Sequence, residues 1–322
     1  MTTASVERSN LMGALCALAA VICFSLNDVG IKFLSDQYAL HQIILIRALV
    51  GLMTFFAVIL PLNGGLGVFR TRRPLMHLAR GGCVVLANMC LFLGLAAMPI
   101  ADAVAVFFIS PLVITIFSVL FLGETVGARR WAAIAVGFVG VLVIVKPGTS
   151  AFQIASLLPI TAAVLYATLH ILTRKIGGTE SAATMVVYMQ LTFLIFSVIF
   201  GAVFGSGWMA GMGHASLDFL FRAWVPIEPG DYAILVMLGV SGALGGFFIS
   251  QAYRLSEAAF VAPIEYVAMP MAVIWGIMVF GTFPGMSAWA GIALIVGSGL
   301  YLVWRESGKR RSRMARAPRY RR

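Results

Sequence analysis

The dominant pattern along this chain is a series of long apolar runs separated by short polar segments. Each run approaches or exceeds the roughly 20 residues that a helix needs to cross a hydrocarbon core of about 30 Å. None shows the alternation of polar and apolar residues that is typical of barrel strands. We therefore predict an all-α integral membrane protein. Its ten transmembrane helices are expected at Leu11–Ile31, Ile43–Leu60, Gly81–Met98, Ala103–Leu122, Trp131–Val145, Ile154–Leu172, Ala182–Phe204, Tyr232–Ala252, Ala258–Phe280 and Ala288–Trp304.

The composition supports this prediction. Of the 322 residues, 61% are hydrophobic and 11% are charged, whereas soluble domains are about half apolar and about a quarter charged. A water-soluble fold would lack the polar residues needed to cover its surface. The outer surface of this chain is therefore expected to face lipid.

The basic residues indicate how the helices cross the membrane. They gather in every second segment between apolar runs, and the opposite segments contain few of them. Because lysine and arginine favour the cytoplasmic side, both termini are expected on the cytoplasmic side of the inner membrane. Residues 1–10 then form a cytoplasmic N-terminus, and residues 306–322 form a basic cytoplasmic tail. We interpret this tail as a disordered topology determinant and not as a nucleic-acid-binding arm.

The longest segment between apolar runs, Gly205–Gly230, falls on the outer side in this topology. Its tryptophans, Trp208 and Trp224, are interpreted as ordinary interface anchors. The alternative interpretation is an interfacial flap.

Landmark residues recur at a constant distance along the chain, as expected of an internal repeat. Trp131 lies 158 positions before Trp289. Gly123 lies the same distance, 158 positions, before Gly281. Since this distance is close to half of the chain length, the two halves resemble two copies of one unit.

Each half contains five predicted helices. Five is an odd number, so the second copy enters the membrane in the opposite orientation, which is typical of secondary transporters. We assign the first repeat to residues 11–147 and the second repeat to residues 152–305. Two opposed copies can exchange conformations and so open a central site to either side in turn.

A further set of residues follows a characteristic order: Lys32, Gln42, Arg47, the stretch from Pro111 to Gly123-Glu124, and the stretch from Gly137 to Pro147. On these residues the chain resembles the ten-helix drug/metabolite transporter superfamily, and in particular its EamA-type members. The resemblance extends over about residues 10 to 305. It implies two five-helix repeats around a central cavity, and transport of small organic metabolites. In the second copy, Thr282 stands at the position that corresponds to Glu124 in the first copy. The chain departs from the family pattern here, so a role that needs an acidic residue in both copies does not carry over.

Glu265 is the strongest candidate site residue, because an ionisable group costs roughly 2.5–3.5 kcal/mol at the middle of a membrane helix and so indicates function. It lies between Pro263 and Pro270, and Pro111 occupies the matching place in the fourth helix. Proline removes a backbone donor and breaks the helix. Matched breaks in the two halves predict a transport site at this depth, where Glu265 binds a cationic group or carries a coupling proton.

Other charged residues lie towards the outer side. Asp28 and Lys32 are four residues apart on the first helix, and Arg47 follows in the second. These three form either an outer gate or a static ion network. The forked side chain of Arg47 also suits a carboxylate or phosphate. Glu265 has a structural alternative, in which it pairs with Arg47 or with His170.

The remaining candidates are polar or aromatic groups within helices: Asn88, Tyr166, His170, Gln190, Phe107, Tyr266 and Trp275. Their amides and hydroxyls suit hydrogen bonds to a substrate, and their rings suit a cation. Each also has a packing interpretation, as a contact between neighbouring helices. Four residues near helix starts are interpreted as topology anchors: His77, Arg80, Arg129 and Arg130.

The candidate residues indicate transport and not catalysis of a chemical reaction. The chain contains no Gly-Lys-Ser/Thr phosphate-binding sequence for ATP, and its four cysteines lack metal-ligand spacing. We predict no enzyme, no cofactor and no metal site. The leading hypothesis is a secondary transporter that moves a small polar or zwitterionic metabolite by alternating access. Its partners are that metabolite and membrane lipids, without nucleic acid, and a homodimer is compatible with the sequence.

Two other function classes stay open. A membrane-embedded enzyme on a lipid-linked substrate would need a cluster of acid, base or metal-binding groups, and the scattered carboxylates argue against it. A non-transporting receptor would need larger loops or termini than these segments provide.

The topology generates a first prediction. A tag fused to the C-terminus should be accessible only from the cytoplasm, because the basic segments hold that end inside. Antibody access to the tag in intact and permeabilised cells tests this. Labelling of the tag on intact cells would contradict the assignment.

Overall fold

The regular structure of this protein is helical, because a segment in the hydrocarbon core must satisfy its backbone hydrogen bonds internally. The computed structural model describes residues 3–62, 65–123, 127–147, 153–256 and 261–316. Within these ranges seven helical stretches are long and apolar enough to cross a membrane, and three shorter apolar helices lie at Trp131–Val145, Ile264–Phe280 and Met286–Tyr301. No strand occurs in the same ranges. The predicted all-α, multi-pass membrane architecture is confirmed.

The described α-helices are labelled in chain order: α1 Thr3–Leu34, α2 Leu40–Thr54, α3 Pro74–Ala97, α4 Ile100–Phe107, α5 Ser110–Leu122, α6 Ala128–Val145, α7 Leu157–Ile176, α8 Ala182–Phe204, α9 Ala215–Phe221, α10 Tyr232–Leu255, α11 Ala268–Phe280 and α12 Met286–Arg316. A π-helical stretch, Phe55–Ile59, follows α2 directly, and a last α-helical turn, Leu60–Leu62, follows it. Short 3₁₀ stretches lie at Gly65–Phe69, Ile154–Ser156, Pro229–Asp231 and Ala262–Val267.

The chain terminus departs from the prediction. The tenth helix was expected to end at Trp304, but α12 continues through Arg316. The expectation of a disordered tail is therefore wrong for residues 306–316, and residues 317–322 lie outside the described ranges. The basic residues of this part come directly after the last apolar turns of α12 along the chain. Because arginine and lysine are good helix formers, they extend the helix.

Two helices are interrupted near proline. In the first half, α4 ends at Phe107 and α5 begins at Ser110, one residue before Pro111. In the second half, the 3₁₀ stretch Ala262–Val267 precedes α11, whose third residue is Pro270. Because proline cannot donate a bond to the residue four positions back, the irregular turn precedes the proline in both halves.

The two interrupted helices also end alike. Gly123 follows α5 with a φ of 68°, and Gly281 follows α11 with a φ of 62°. This left-handed conformation favours glycine, which has no β-carbon to clash with the carbonyl. Glu124 lies outside the described residues. Thr282 is described, and its hydroxyl donates to the Gly276 carbonyl at 3.1 Å.

Helices from the two halves pack against one another. α1 packs along α10, α3 along α7, α2 against α8 and α10, and α6 along α12. At the crossing of α6 and α12 the backbones of Gly140 and Gly291 meet. A β-carbon added to Gly291 would lie 2.7 Å from the Gly140 carbonyl oxygen, so only small residues permit this approach.

The segment between α8 and α10, residues 205–231, folds over the turn between α1 and α2. Arg222 donates to the Ser35 carbonyl at 2.8 Å. The Tyr38 hydroxyl donates to Asp231 at 2.6 Å. Burial and this hydrogen bond raise the pKa of Tyr38, so the hydroxyl stays protonated.

The same segment is held to the start of α2 by an amide pair. The Gln42 side chain donates to the Val225 carbonyl at 2.6 Å and accepts from the Val225 N–H at 3.3 Å. Trp224 packs beside His41 with ring centroids 5.8 Å apart and is 40% exposed, and Trp208 is 66% exposed. The segment therefore contains an exposed tryptophan, as an interface anchor requires, and also covers the ends of α1 and α2.

The glycine crossing generates the second prediction. Gly291→Ala should destabilise the protein by about 1–3 kcal/mol, because the added methyl group overpacks the interface with α6. The matched control is Gly297→Ala on the same helix, where a β-carbon meets no atom within 4 Å. Melting temperatures of the purified variants in detergent test this. Equal melting temperatures for both variants would contradict the tight crossing.

Candidate functional site

A cavity of about 120 Å³ lies among helices from both halves of the chain. This is room for several water molecules. Its walls come from α1, α2, α3, the break between α4 and α5, α7, α8, α10 and the stretch that contains Glu265. Most of the lining is apolar, with a few convergent polar groups. This combination is typical of small-molecule sites.

Glu265 is one of the buried polar groups in this wall, with 5% of its surface exposed. Its Oε2 atom accepts a hydrogen bond from Tyr166 on α7 at 3.0 Å, and its Oε1 atom accepts one from Tyr253 on α10. The 3₁₀ stretch around it presents the carboxyl group to both tyrosines. The expected pairing with Arg47 or His170 is therefore replaced by two hydroxyl donors from helices of the second half.

His170 lies between the two tyrosines. Its ring is 4.2 Å from the Tyr166 ring and 4.2 Å from the Tyr253 ring, measured between centroids. Neither ring nitrogen has a hydrogen-bond partner, although the side chain is buried. Buried polar atoms are rarely left unpaired, so a water molecule or a ligand has a place beside them.

Arg47 forms a second polar centre in the cavity wall. One guanidinium nitrogen, Nη1, contacts Asn27 at 3.2 Å and Asn88 at 3.4 Å. The group also stacks near Phe193 and Phe92, at 4.5 Å and 5.3 Å from the ring centroids. The aromatic faces and amide oxygens thus solvate a cation that is buried in the protein.

Asp28 lines the same cavity, but the predicted network of Asp28, Lys32 and Arg47 does not form. No ion pair within 4.0 Å joins any two of these residues. Lys32 instead donates to the carbonyls of Leu95 and Met98, each at 2.7 Å. These carbonyls lie at the C-terminal end of α3, where a cation satisfies the otherwise unpaired acceptors. Lys32 therefore acts as a helix cap, apart from the other two residues.

The remaining predicted residues divide between the cavity and the helix packing. Asn88, Gln190 and Phe107 line the cavity. Tyr266 and Trp275 do not. Tyr266 lies against Phe108, with ring centroids 5.7 Å apart, and Trp275 donates to Ser25 at 2.8 Å.

Of the helix-breaking prolines whose side chains the structure describes, Pro111 and Pro270, neither lines the cavity. Pro111 is buried in the first turn of α5. Pro263 and Pro270 lie on either side of Glu265, in the 3₁₀ stretch and in the first turn of α11.

Sequence reasoning missed three polar residues of the site. Asn27 is buried and donates to Ser241 at 2.5 Å while it accepts from Arg47. Tyr253 binds Glu265, and Arg80, which was interpreted as a topology anchor, lines the cavity with 5% of its surface exposed. Asn27 lies within the first apolar run, so the rule that singled out Asn88 and Tyr166 would have found it, whereas Tyr253 lies one residue beyond the predicted run Tyr232–Ala252.

The tyrosine pair generates the third prediction. Tyr253→Phe should destabilise the protein by about 1–3 kcal/mol, because it removes a donor from a buried carboxyl group and keeps the ring contact with His170. Tyr232→Phe is the control, since Tyr232 is 56% exposed. Thermal unfolding in detergent measures both. A Tyr253→Phe variant as stable as the control would contradict the arrangement around Glu265.

Known proteins resemble this chain along nearly its whole length. Residues 11–146 match the EamA-like transporter family. A riboflavin transporter of Vibrio cholerae is 32% identical over 314 residues, which cover 96% of this chain and 99% of that protein. An S-adenosylmethionine uptake transporter of Rickettsia prowazekii is 28% identical over 93% of this chain and 95% of its own length.

Two more distant matches extend the comparison. A pseudopaline exporter of Pseudomonas aeruginosa is 26% identical over 88% of this chain and 93% of its own length. A solved crystal structure superposes with a TM-score of 0.66 at 16% identity, over 89% of this chain and 94% of that chain, which shows a shared fold. A full-length relative above 30% identity, on an all-helical chain with a central cavity, shows that this protein belongs to the EamA-like transporter family of the drug/metabolite transporter superfamily, and that it is a membrane transporter and not an enzyme.

Proposed function

We propose that this protein is a secondary transporter that moves a small polar or zwitterionic metabolite across the inner membrane by alternating access. In this proposal ten helical spans form two inverted repeats, residues 11–147 and 152–305, with both termini in the cytoplasm. The stretches α4–α5 and 262–280 each count as one span. The central cavity is the substrate site, which opens to one side and then to the other as the repeats exchange conformations.

The packing of the helices supports the inverted repeat. α1, the first span of the first half, packs along α10, the third span of the second half. Conversely, α3, the third span of the first half, packs along α7, the first span of the second half. α2 meets α8, and α6 meets α12, which are second-to-second and fifth-to-fifth contacts. A pseudo-twofold relation between the halves requires such reciprocal pairs. The matched helix interruptions before Pro111 and Pro270 follow the same relation.

The observation that carries the proposal is the presence of separated opposite charges in one buried cavity. Asp28, Glu265 and Arg47 all line it, and no ion pair within 4.0 Å joins any two of them. A buried charge that lacks a partner costs several kcal/mol. A solute with a cationic and an anionic group would offer a counter-charge to both kinds of group when it binds, and so would stabilise the loaded site.

The aromatic lining suggests a flat ring in the substrate. Phe107 and Tyr166 lie with ring centroids 5.2 Å apart, and Phe92 and Phe193 flank Arg47. Aromatic faces of this kind stack on heterocycles. Riboflavin and S-adenosylmethionine, the substrates named for two of the relatives, each contain a flat nitrogen heterocycle. We infer that they are the first solutes to test, and that Glu265 binds a cationic group or carries a coupling proton.

Substitution of Glu265 generates the fourth prediction. Glu265→Gln, reconstituted in liposomes, should take up the transported solute at least about tenfold more slowly, or its uptake should no longer depend on pH. The reason is that the amide neither ionises nor pairs with a cation. Glu228→Gln is the matched control, because Glu228 is exposed in the outer segment. Uptake of radiolabelled riboflavin and S-adenosylmethionine measures both variants.

Two outcomes of this experiment would count against the proposal. Full retention of rate and pH dependence in Glu265→Gln would remove Glu265 from the mechanism. Absence of flux for a wide panel of metabolites, despite specific ligand binding, would favour a non-transporting receptor.

A further inference from the structure

Arg80 is a buried cation with most of its hydrogen-bonding capacity unused. Its Nε atom donates to the Thr173 hydroxyl at 2.9 Å. A guanidinium group has five N–H donors, and the described residues provide no other hydrogen-bond acceptor for it. No described carboxylate lies within 4.0 Å either. The side chain is 5% exposed and lines the central cavity.

The contact with Thr173 fixes the direction of this side chain. The Thr173 hydroxyl donates its own proton to the Leu169 carbonyl at 2.7 Å, so it can only accept from Arg80. This holds Nε against α7 and leaves the two terminal nitrogens of the fork unbonded. Arg80 lines the cavity, and the unbonded terminal nitrogens of a guanidinium fork can bind a carboxylate or phosphate with two parallel bonds.

His170 adds a second unsatisfied group at the same place. It lies three residues before Thr173, hence on the same face of α7. Both of its ring nitrogens are buried and have no partner. A neutral imidazole always has one N–H to donate. The terminal nitrogens of Arg80 and the imidazole of His170 thus present donors to the cavity from two helices, and no described residue accepts from these groups.

A topology anchor would place its charge differently. Arginines that fix membrane orientation extend towards the interface and keep their charge in water. Arg72 and Arg73 at the start of α3 are exposed in this way, whereas Arg80 is enclosed. An enclosed cation without a counter-charge is costly and so marks a functional site.

We propose that Arg80, with Thr173 and His170, is the subsite for an anionic group, a carboxylate or a phosphate, on the transported solute. This inference rests on the proposed transport function and narrows its substrate class. Tyr166, which binds Glu265, and Thr173, which binds Arg80, lie seven residues apart on one face of α7. That spacing is roughly 10 Å along the helix axis. The subsite therefore receives one end of an extended solute whose other end reaches the Glu265 carboxyl group.

The first test uses inorganic phosphate as a probe of the subsite. Thermal unfolding of the purified full-length protein is compared in sodium phosphate and in sodium chloride of equal ionic strength. Phosphate should raise the melting temperature of the wild type by a few degrees, since a ligand that binds only the folded state stabilises it. Arg80→Gln should abolish this increase. Arg72→Gln, the same change at an exposed arginine, should retain it.

Arg80→Lys separates a binding role from a structural one. It keeps the charge and loses the fork, so the phosphate-dependent increase should be reduced but present. A melting temperature close to that of the wild type in chloride shows that the variant is folded. If phosphate stabilises wild type and Arg80→Gln equally, the proposal is wrong.

The second test distinguishes a group on the solute from a free counter-ion. Binding is measured for riboflavin and riboflavin 5′-phosphate, and for S-adenosylmethionine and its decarboxylated form. In at least one pair, the member that carries the additional phosphate or carboxylate group should bind at least about tenfold more tightly to the wild type, and Arg80→Gln should remove this preference. If no pair shows an Arg80-dependent preference, the site holds a free anion and the proposed substrate role fails. Absence of solute flux in liposomes would instead count against the transport function, and it would leave the phosphate response unchanged.

Discussion

The hydrocarbon core does not solvate charge, and the centre of this structure is arranged around that constraint. Glu265 receives hydroxyl donors from α7 and α10, and Arg47 lies between two phenylalanine rings and against two amides. These contacts replace water for each group separately. They do not join the groups to one another, because an internal ion pair would satisfy both charges and leave nothing for a solute. The cavity therefore keeps its charges solvated and still available.

The same constraint explains where the helices break. Backbone groups freed near proline must find partners in protein or in a water-filled space. Both interruptions contribute to the cavity wall, through Phe107 and Phe108 before Pro111 and through Glu265 and Ala268 before Pro270. Phe107 and Glu265 are brought to the wall by these irregular turns. A continuous helix would direct the side chains in this part of the chain along a regular 3.6-residue spiral, and fewer of them would face the centre.

The sequence predicts the membrane helices and many of the cavity-lining residues, because both depend on the types of residue and their spacing along the chain. Apolar runs give the spans, and an ionisable residue inside such a run, as with Glu265, indicates the site. The rotation of each helix about its axis is set by tertiary packing. Trp275 was therefore expected in the cavity although it packs against α1. Arg80 was missed for a related reason, since its position near the start of α3 matches that of an anchor, and only the fold shows that the side chain turns inwards.

The outer segment, residues 205–231, makes the two halves unequal. If the repeats exchanged conformations as perfect copies, the two facing states of the transporter would have the same free energy. In the proposed cycle, the bonds from this segment to Ser35, Tyr38 and Gln42 would hold the outer side closed and would break when it opens. Each contributes on the order of 1 kcal/mol, and a difference of 1.4 kcal/mol changes a population about tenfold. On that proposal, most molecules at rest would present the cavity to the cytoplasm. The apparent affinity would then be higher for a solute that arrives from inside than for the same solute from outside, although the gradient alone would still decide the direction of net flow.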